Sequence, residues 1–586
     1  MVFHGLPAEI AEPPRQGGTS AYVNAASATL RIGNTSDRQK MSGGEVLLLC
    51  CSVASLIISC VIWSARKQAW MDEIFTWKEA SDRSLWHLYW AIQHGADGGQ
   101  PLFYTTAWLW AKTFGASVLS LRLYSCVSMC GALLVTWRCI RRVYGLWATA
   151  FGVLWMWGSA GLLLDQNAEG RFYGLFILAV AVVVDVYLRL AARSTPTRLL
   201  LLYSLLAQAA LVLTHVLGLF YSGMILLTLV LFDTLAGRFR TKVYLFHAAG
   251  WLALVVWIPA IRASIAAGKP HGWIPVPSFA RFFDSYFFWD YLPWLSLVQR
   301  HAPEFLFQIC RQGVRAAIML PVAVVLFFTA RKLLRAERSF SPTAEDALLL
   351  VAFALLSMPI VLFVVSHLLT PVFVARYLLP SGIGVSIILA AFASRLSLYV
   401  PDFLRPAQRL VSMLVVMFLV TCPVSSALLR GPAEGNPRFL DVERLDGMVS
   451  PDAAVVVDWQ QDFSKIMRYS QKPGSHYYFL LDWTASLAGP RTHILDYHLM
   501  RAYHDAGYYP QKIQDSHAFL CSHADFLVLD AHALAPLEQG TSWFDFAIKK
   551  SPAFRWKILD SLDGPDVKRD LIAVHRGASL DHCDEP

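Results

Sequence analysis

Apolar and polar positions along the chain fall into long blocks rather than short alternations. Runs at 46–65, 143–164, 243–261, 347–375, 377–394 and 410–429 contain no Asp, Glu, Lys or Arg. A helix needs about 20 mainly apolar residues to cross a bilayer, and in lipid its backbone must satisfy its own hydrogen bonds. Shorter runs at 123–137 and 316–330 have apolar flanks, and 172–188 is interrupted only by Asp185. The uncharged stretch 199–232 holds 34 residues, more than one span needs, and divides near Thr214-His215. This pattern predicts about eleven membrane-spanning helices. Residues 101–115 are apolar but too short to span, which predicts a helix at the membrane interface with its Trp and Tyr at headgroup level.

Beyond residue 430 the pattern changes. Short apolar runs at 453–457, 477–481, 526–529 and 571–574 alternate with helix-like stretches, the signature of a small α/β domain. The predicted fold is a polytopic α-helical membrane protein with a C-terminal α/β soluble domain. Its parts are a cytoplasmic tail (1–43), a transmembrane module (44–429) with long outer loops at 66–122 and 262–315, and the domain at 430–586.

Composition agrees. Of 586 residues 56% are hydrophobic and 16% charged, against roughly 25% charged in soluble proteins. That excludes a disordered chain, a collagen and a disulfide-stapled mini-protein. The net charge of +8 reads as topology, not as a nucleic-acid surface, because Lys and Arg accumulate in short cytoplasmic loops. Taking alternate connections as cytoplasmic collects Arg138/Arg141/Arg142, Arg189/Arg193/Arg198, Arg238/Arg240/Lys242, Arg331/Lys332/Arg335/Arg338 and Arg395/Arg405/Arg409. The short connections opposite hold only Arg171 and Arg376. The N-terminus is then cytoplasmic, and residues 1–43 lack a signal-peptide pattern. With the C-terminal domain outside, the expected setting is a bacterial inner (plasma) membrane with a periplasmic domain. Cys521 and Cys583 both fall in that domain; in an oxidising compartment they can pair, and free thiols are the other reading.

Candidate chemistry gathers at outer span ends. Asp72-Glu73 follows the first span and is flanked by Trp70, Ile74, Phe75 and Trp77; carboxylates at a membrane edge are costly unless used. Asp165 and Glu169 share a face if that connection is helical, and Arg171 carries a fork suited to carboxylate or phosphate. Tyr173, His215 and the pair Arg376-Tyr377 lie at neighbouring span ends. Each alone also reads as solvated loop acids, a polar turn, a structural His or interfacial anchoring. Together they suit an amphiphilic anionic substrate with its chain among the spans. A transporter or flippase of a lipid-linked or amphiphilic substrate is the competing class, but it calls for midplane charges, and these are nearly absent. A membrane-anchored sensor or scaffold working through 430–586 is a second alternative.

The ordered set Met71-Asp72-Glu73, Gln100-Pro101-Leu102-Phe103-Tyr104, Trp108, Phe114-Gly115, Leu121-Arg122-Leu123, Arg141-Arg142-Val143-Tyr144-Gly145, Glu169-Gly170-Arg171-Phe172-Tyr173, Thr214-His215 and Arg376-Tyr377-Leu378-Leu379-Pro380 resembles the GT-C superfamily of polyprenyl-phosphate-sugar glycosyltransferases. The branch it resembles is that of protein O-mannosyltransferases and aminoarabinose lipid A transferases, over about residues 45–395. The resemblance implies transfer of a sugar (hexosyl or pentosyl) from a polyprenyl-phosphate donor to a glycan, lipid or protein acceptor, with Asp72 as base and Glu73 beside it. By analogy Asp165, Glu169, Arg171, Tyr173, His215, Arg376 and Tyr377 bind substrate or phosphate. Some members hold a divalent metal, for which Asp72, Glu73, Asp165 and His215 are the candidates; the spacing does not demand one. The family's turn often reads Thr-His-Tyr, whereas Val216 follows His215 here.

Overall fold

The computed structural model describes residues 41–269, 274–286, 295–334, 342–431, 438–471, 476–533, 541–564, 566–577 and Cys583. The expected tail up to residue 40 and the aromatic segment 287–294 lie outside these.

Helix α1 (Gly43–Ser64) leads into three helices of the first outer loop: α2 (Met71–Ala80), α3 (Leu85–Gln93) and α4 (Pro101–Phe114). Then come α5 (Val118–Arg141), α6 (Leu146–Ser159), α7 (Gly161–Asn167), α8 (Tyr173–Ala191), α9 (Arg198–Thr214), α10 (Gly218–Leu235) and α11 (Thr241–Ala267), the last interrupted by a 3₁₀ stretch. The module ends with α12 (Glu304–Leu334), α13 (Ala344–Leu368), a 3₁₀ turn at Ala375–Ser381, α14 (Gly382–Leu398) and α15 (Arg405–Leu429).

Among the described residues nine helices are long and apolar enough to cross a membrane, and the α6–α7 pair, bent by 68°, makes ten. The 17-residue α9 is apolar but shorter. Every one of the eleven predicted runs therefore coincides with a helix or bent pair, and the chain is a multi-pass membrane protein. Some boundaries move. Helix α12 begins at Glu304, inside the stretch predicted as outer loop, and α13 stops at Leu368. Residues 101–115 are helical as expected, with Pro101 in the first turn and Phe103, Tyr104 and Ala107 fully buried.

The basic loops predicted to share one side meet where they are described, Lys332 donating to Asp346 at the start of α13, while Arg335 and Arg338 lie outside the described residues. Arg141 pairs with Glu45 at the start of α1, and Arg142 and Arg189 both pair with Asp185. Arg238 and Arg240 pair with Asp233, Arg238 also donating to Ala191 O. Arg395 and Tyr144 converge on Glu345. These bonds tie the starts of α1 and α13 to the ends of α5, α8, α10 and α14, so those ends share one face of the bundle. The C-terminal domain packs on the other face.

That domain contains α16 (Val442–Met448), β1 (Val455–Val457), α17 (Gln460–Tyr469), β2 (Tyr477–Leu481), α18 (Trp483–Ala488), α19 (Arg491–Asp505), β3 (Ile513–Asp515), α20 (Ser516–Ser522), β4 (Asp525–Ala533), β5 (Phe554–Asp563) and β6 (Val567–Arg576). The sheet order is β3-β2-β1-β4-β6-β5. β3, β2, β1 and β4 run parallel, and β6 is antiparallel to both β4 and β5. All four apolar runs expected as strands are strands; β3 and β5 are additional. Cys521 and Cys583 form a disulfide, with Cα atoms 5.4 Å apart.

One sheet face shares its apolar core with the first outer loop. Phe75, Ala91 and Ala96 sit in the same buried cluster as Leu445, Val455, Phe463, Met500 and Tyr503. The domain is thus fastened to the membrane module by a continuous core.

Candidate active site

Trp70 is extended and α2 starts at Met71. Glu73 occupies the third position of the helix and accepts the Trp70 N–H at 3.0 Å, as a carboxylate does at an N-terminus where N–H groups lack helical partners. Its other bonds reach far along the chain. Arg122 of α5 donates from Nε to Oε1 at 2.7 Å and from Nη2 to Oε2 at 2.8 Å, and Gly170 N–H donates to Oε1 at 2.9 Å. Glu73 is 2% exposed and Arg122 1%. Burial pushes the Glu73 carboxyl up, but the Arg122 charge and hydrogen bonds prevail and hold it lowered to about 2. All of its bonding capacity is spent on structure.

Asp72 is the opposite case. Its carboxylate accepts no hydrogen bond among the described residues; it pairs with Arg376 Nη2 at 3.6 Å, and 17% of its side chain is exposed. Its backbone is held firmly, because Asp72 O accepts from Thr76 Oγ1 at 3.0 Å and from Arg171 Nη1 at 3.2 Å. The two adjacent acids therefore divide their work: Glu73 anchors α2, and Asp72 presents a carboxylate held only by the loose ion pair to Arg376.

Arg171 sits between α7 and α8, 6% exposed. Besides Asp72 O it reaches Thr76 Oγ1 and Asp97 Oδ2, each at 2.8 Å. Tyr104 donates to the same Asp97 oxygen. Burial raises the Asp97 carboxyl, but Arg171 outweighs it and holds Asp97 below the usual range. Arg171 is thus a crosslink between α2 and the 94–100 segment.

The condition under which Asp165 and Glu169 would share a helical face is not met. Helix α7 stops at Asn167, where Ala168 leaves helical geometry. Asp165 turns away to Arg430. Glu169 is 8% exposed and accepts from Gln166 Nε2 at 3.0 Å, while its Oε1 has no hydrogen-bond partner among the described residues. Burial raises the Glu169 carboxyl, opposed by the charge of Lys67.

Arg376 lies in the 3₁₀ turn before α14. It stacks over Tyr173 and Tyr377 with its guanidinium carbon 5.8 and 6.0 Å from the ring centres, and its buried Nε has no hydrogen-bond partner among the described residues. His215 packs among Phe172, Phe176 and Tyr377 at centroid distances of 4.6, 5.1 and 5.0 Å. Its Nδ1 accepts from Leu217 N–H at 3.2 Å, so the neutral ring carries its proton on Nε2. Burial, with Arg171 and Arg376 nearby, pushes this imidazole down to about 3.

Asp72, Glu169, Arg171, Tyr173, His215, Arg376 and Tyr377 accordingly form one cluster, to which Asp165 does not belong. The four candidate metal ligands are not gathered: Glu73 and Asp165 are ion-paired and His215 Nδ1 is occupied. Among the described residues the compact ligand-type group is His517, Cys521 and Cys583, far along the chain in the domain, and its two sulfurs are joined in the disulfide. The donors around Asp72 do not fit a bound divalent ion. Sequence reasoning passed over Lys67. It is half-buried, has no ion pair among the described residues, and its charge acts on both Glu73 and Glu169. Its only sequence signal is its place directly after the first span.

No family model and no curated protein matches the chain. Among solved structures it is similar to ArnT from Cupriavidus metallidurans bound to undecaprenyl phosphate, at 13% identity and a TM-score of 0.43, over 93% of this chain and 99% of that one. The apo form of that protein gives 13% and 0.43, over 90% and 98%. The archaeal oligosaccharyltransferase AglB from Archaeoglobus fulgidus, in complex with an inhibitory peptide and a dolichol-phosphate, gives 11% and 0.40, over 82% and 69%. Likeness at this level leaves the functional reading to the residues.

Proposed function

We propose that this chain is a membrane glycosyltransferase. It moves a sugar from a polyprenyl-phosphate donor to a glycan, lipid or protein acceptor on the face of the membrane that carries the C-terminal domain. The observation that carries the reading is the division at Asp72-Glu73: one carboxylate is fully bonded, and the other accepts no hydrogen bond among the described residues and meets Arg376 only as an ion pair at 3.6 Å. Unpartnered buried atoms of Glu169, Arg171 and Arg376 surround it, and buried polar atoms without partners call for a ligand or water to complete them.

The chemistry follows from these groups. Cleavage of the bond between the anomeric carbon and the phosphate oxygen leaves charge on the phosphate. Arg376 stabilises that charge, with Lys67 and the His215 Nε2–H as further donors. The acceptor oxygen or nitrogen attacks the anomeric carbon from the opposite side, and Asp72 takes its proton. One displacement with one base inverts the anomeric centre. Tyr173 and Tyr377 form the walls on which Arg376 lies. The setting that suits this reaction is a bacterial inner membrane with the site on the periplasmic side.

The test is transfer by the purified protein in lipid nanodiscs, using a panel of polyprenyl-phosphate sugars chosen from mass spectrometry of envelope glycans and lipids in a strain lacking the protein. Asp72→Asn is expected to lower turnover by about 10²-fold or more; turnover at the wild-type level would sink Asp72 as the base.

A further inference from the structure

Helix α2 carries Asp72 in its first turn and Glu79 in its last. Glu79 is fully buried. Its Oε1 accepts a hydrogen bond from the Tyr503 hydroxyl of α19 at 3.1 Å, and its Oε2 is buried without a hydrogen-bond partner among the described residues. The same helix is clasped by the domain along its length. The Phe75 ring lies 5.2 Å from that of Tyr503. Arg468 sits over Trp77 at 4.7 Å, and Lys78 over Tyr509 at 4.4 Å. On its other side Arg171 grips Thr76 and Asp72 O. The Asp72 carboxylate accepts no hydrogen bond among the described residues and meets Arg376 only at 3.6 Å, so its direction depends on where α2 sits as well as on that ion pair. That position is set from one side by Arg171 and from the other by the C-terminal domain.

We propose that Tyr503, acting through Glu79, is a positioning residue for the Asp72 carboxylate, so that the C-terminal domain is part of the scaffold of the active site. This rests on reading Asp72 as the base. A helix held at both ends keeps its carboxylate within attack geometry, whereas small displacements of a reacting group are costly in rate. An independent acceptor-recruiting module would not need a tyrosine buried against the helix that bears the base.

The experiment compares four variants in the nanodisc assay, each measured for kcat and for KM of the lipid donor. Tyr503→Phe and Glu79→Ala are expected to lower kcat about tenfold with KM within about twofold, the pattern of lost transition-state geometry. Glu79→Gln still accepts from Tyr503 and recovers most of kcat. Tyr508→Phe removes a similar bond at the same interface, the one its hydroxyl donates to Asp82 at 2.7 Å, and is expected to retain kcat. Wild-type kcat in Tyr503→Phe overturns the proposal, as does an equal fall in Tyr508→Phe, which would mean general loosening of the interface. If Tyr503→Phe does not fold, the contrast of Glu79→Ala with Glu79→Gln decides; equal losses overturn the proposal. Asp72→Asn is run alongside. An active Asp72→Asn removes the reading of the base, whereas an inactive one beside a fully active Tyr503→Phe removes only the positioning role.

Discussion

Within α2, two buried carboxyls meet opposite surroundings. At Glu73 burial raises the carboxyl, but the Arg122 fork lowers it to about 2. At Glu79 burial acts first and the Asp97 charge adds to it, so the carboxyl lies well above its usual value, Arg171 offsetting only part. The linkage signs differ accordingly. Glu73 contributes stability that is complete above about pH 4.5 and is lost as pH falls toward 2. Removing one partner of such a buried pair costs about 3–5 kcal/mol, so Glu73→Gln is expected to unfold at clearly lower temperature at pH 7. Glu79 works the other way: its stability is complete below its unfolded value of 4.5 and is lost as pH rises. Glu79→Gln should therefore raise the unfolding temperature at pH 8, with the gain vanishing below pH 4.5; a gain equal at both pH values would show that charge is not the cause. Adjacency and aromatic flanks make Asp72-Glu73 visible in the sequence. Which of the two is free is not visible, because Arg122 and Gly170 lie 49 and 97 positions from Glu73. Glu79 and Asp97 look like ordinary loop acids until the fold buries them.

At the scale of elements, the spans are the most legible part, because a bilayer demands long apolar runs wherever they pack. How they pack is less legible. Gly152 of α6 and Gly174 of α8 read as neutral positions, yet a Cβ built at either would come 2.2 Å from Ser386 O and 2.3 Å from Ser125 O respectively. Backbones meet there as small residues permit in membrane helices. Gly152→Leu and Gly174→Leu are each expected to prevent recovery of monodisperse protein, while Gly223→Leu, with open space around its Cβ, is not; equal recovery of all three would contradict the crossings. In the domain, β1, β2, β4 and β6 are legible because their buried centres are continuous apolar runs. β5 is not, since it is the edge strand, mixes Arg555, Lys557 and Asp560 among its apolar residues, and shifts register at Leu559. β3 holds three residues, too few for a pattern. The break between α6 and α7 has no charge or proline to mark it, which is why the sequence reads one straight span there and leaves a helical connection at Asp165–Glu169 open.

For the whole molecule, the shared core of Phe75, Ala91 and Ala96 with the domain means that the two parts stand or fall together. Truncation after residue 430 is expected to leave a protein without transfer activity, even if the spans insert. The disulfide between Cys521 and Cys583 joins α20 to the tail beyond β6 across 62 residues. Closing a loop of that size is worth about 2–4 kcal/mol, so Cys521→Ser and reduction of the wild type should lower the unfolding temperature alike; no change on reduction would mean the thiols are not paired. Arg66, just beyond α1, donates to the carbonyls of Ala427, Leu428 and Arg430 at the end of α15, at 2.8, 2.8 and 3.1 Å. During synthesis the first helix to enter the membrane therefore waits for the last one to emerge before its own end is sealed. Contacts so distant along the chain form late. The stretch beyond Arg66 is built in two stages: Arg122 of α5 already holds the carbonyls of Lys67 and Gln68, and the clasp of Arg66 on α15 closes last.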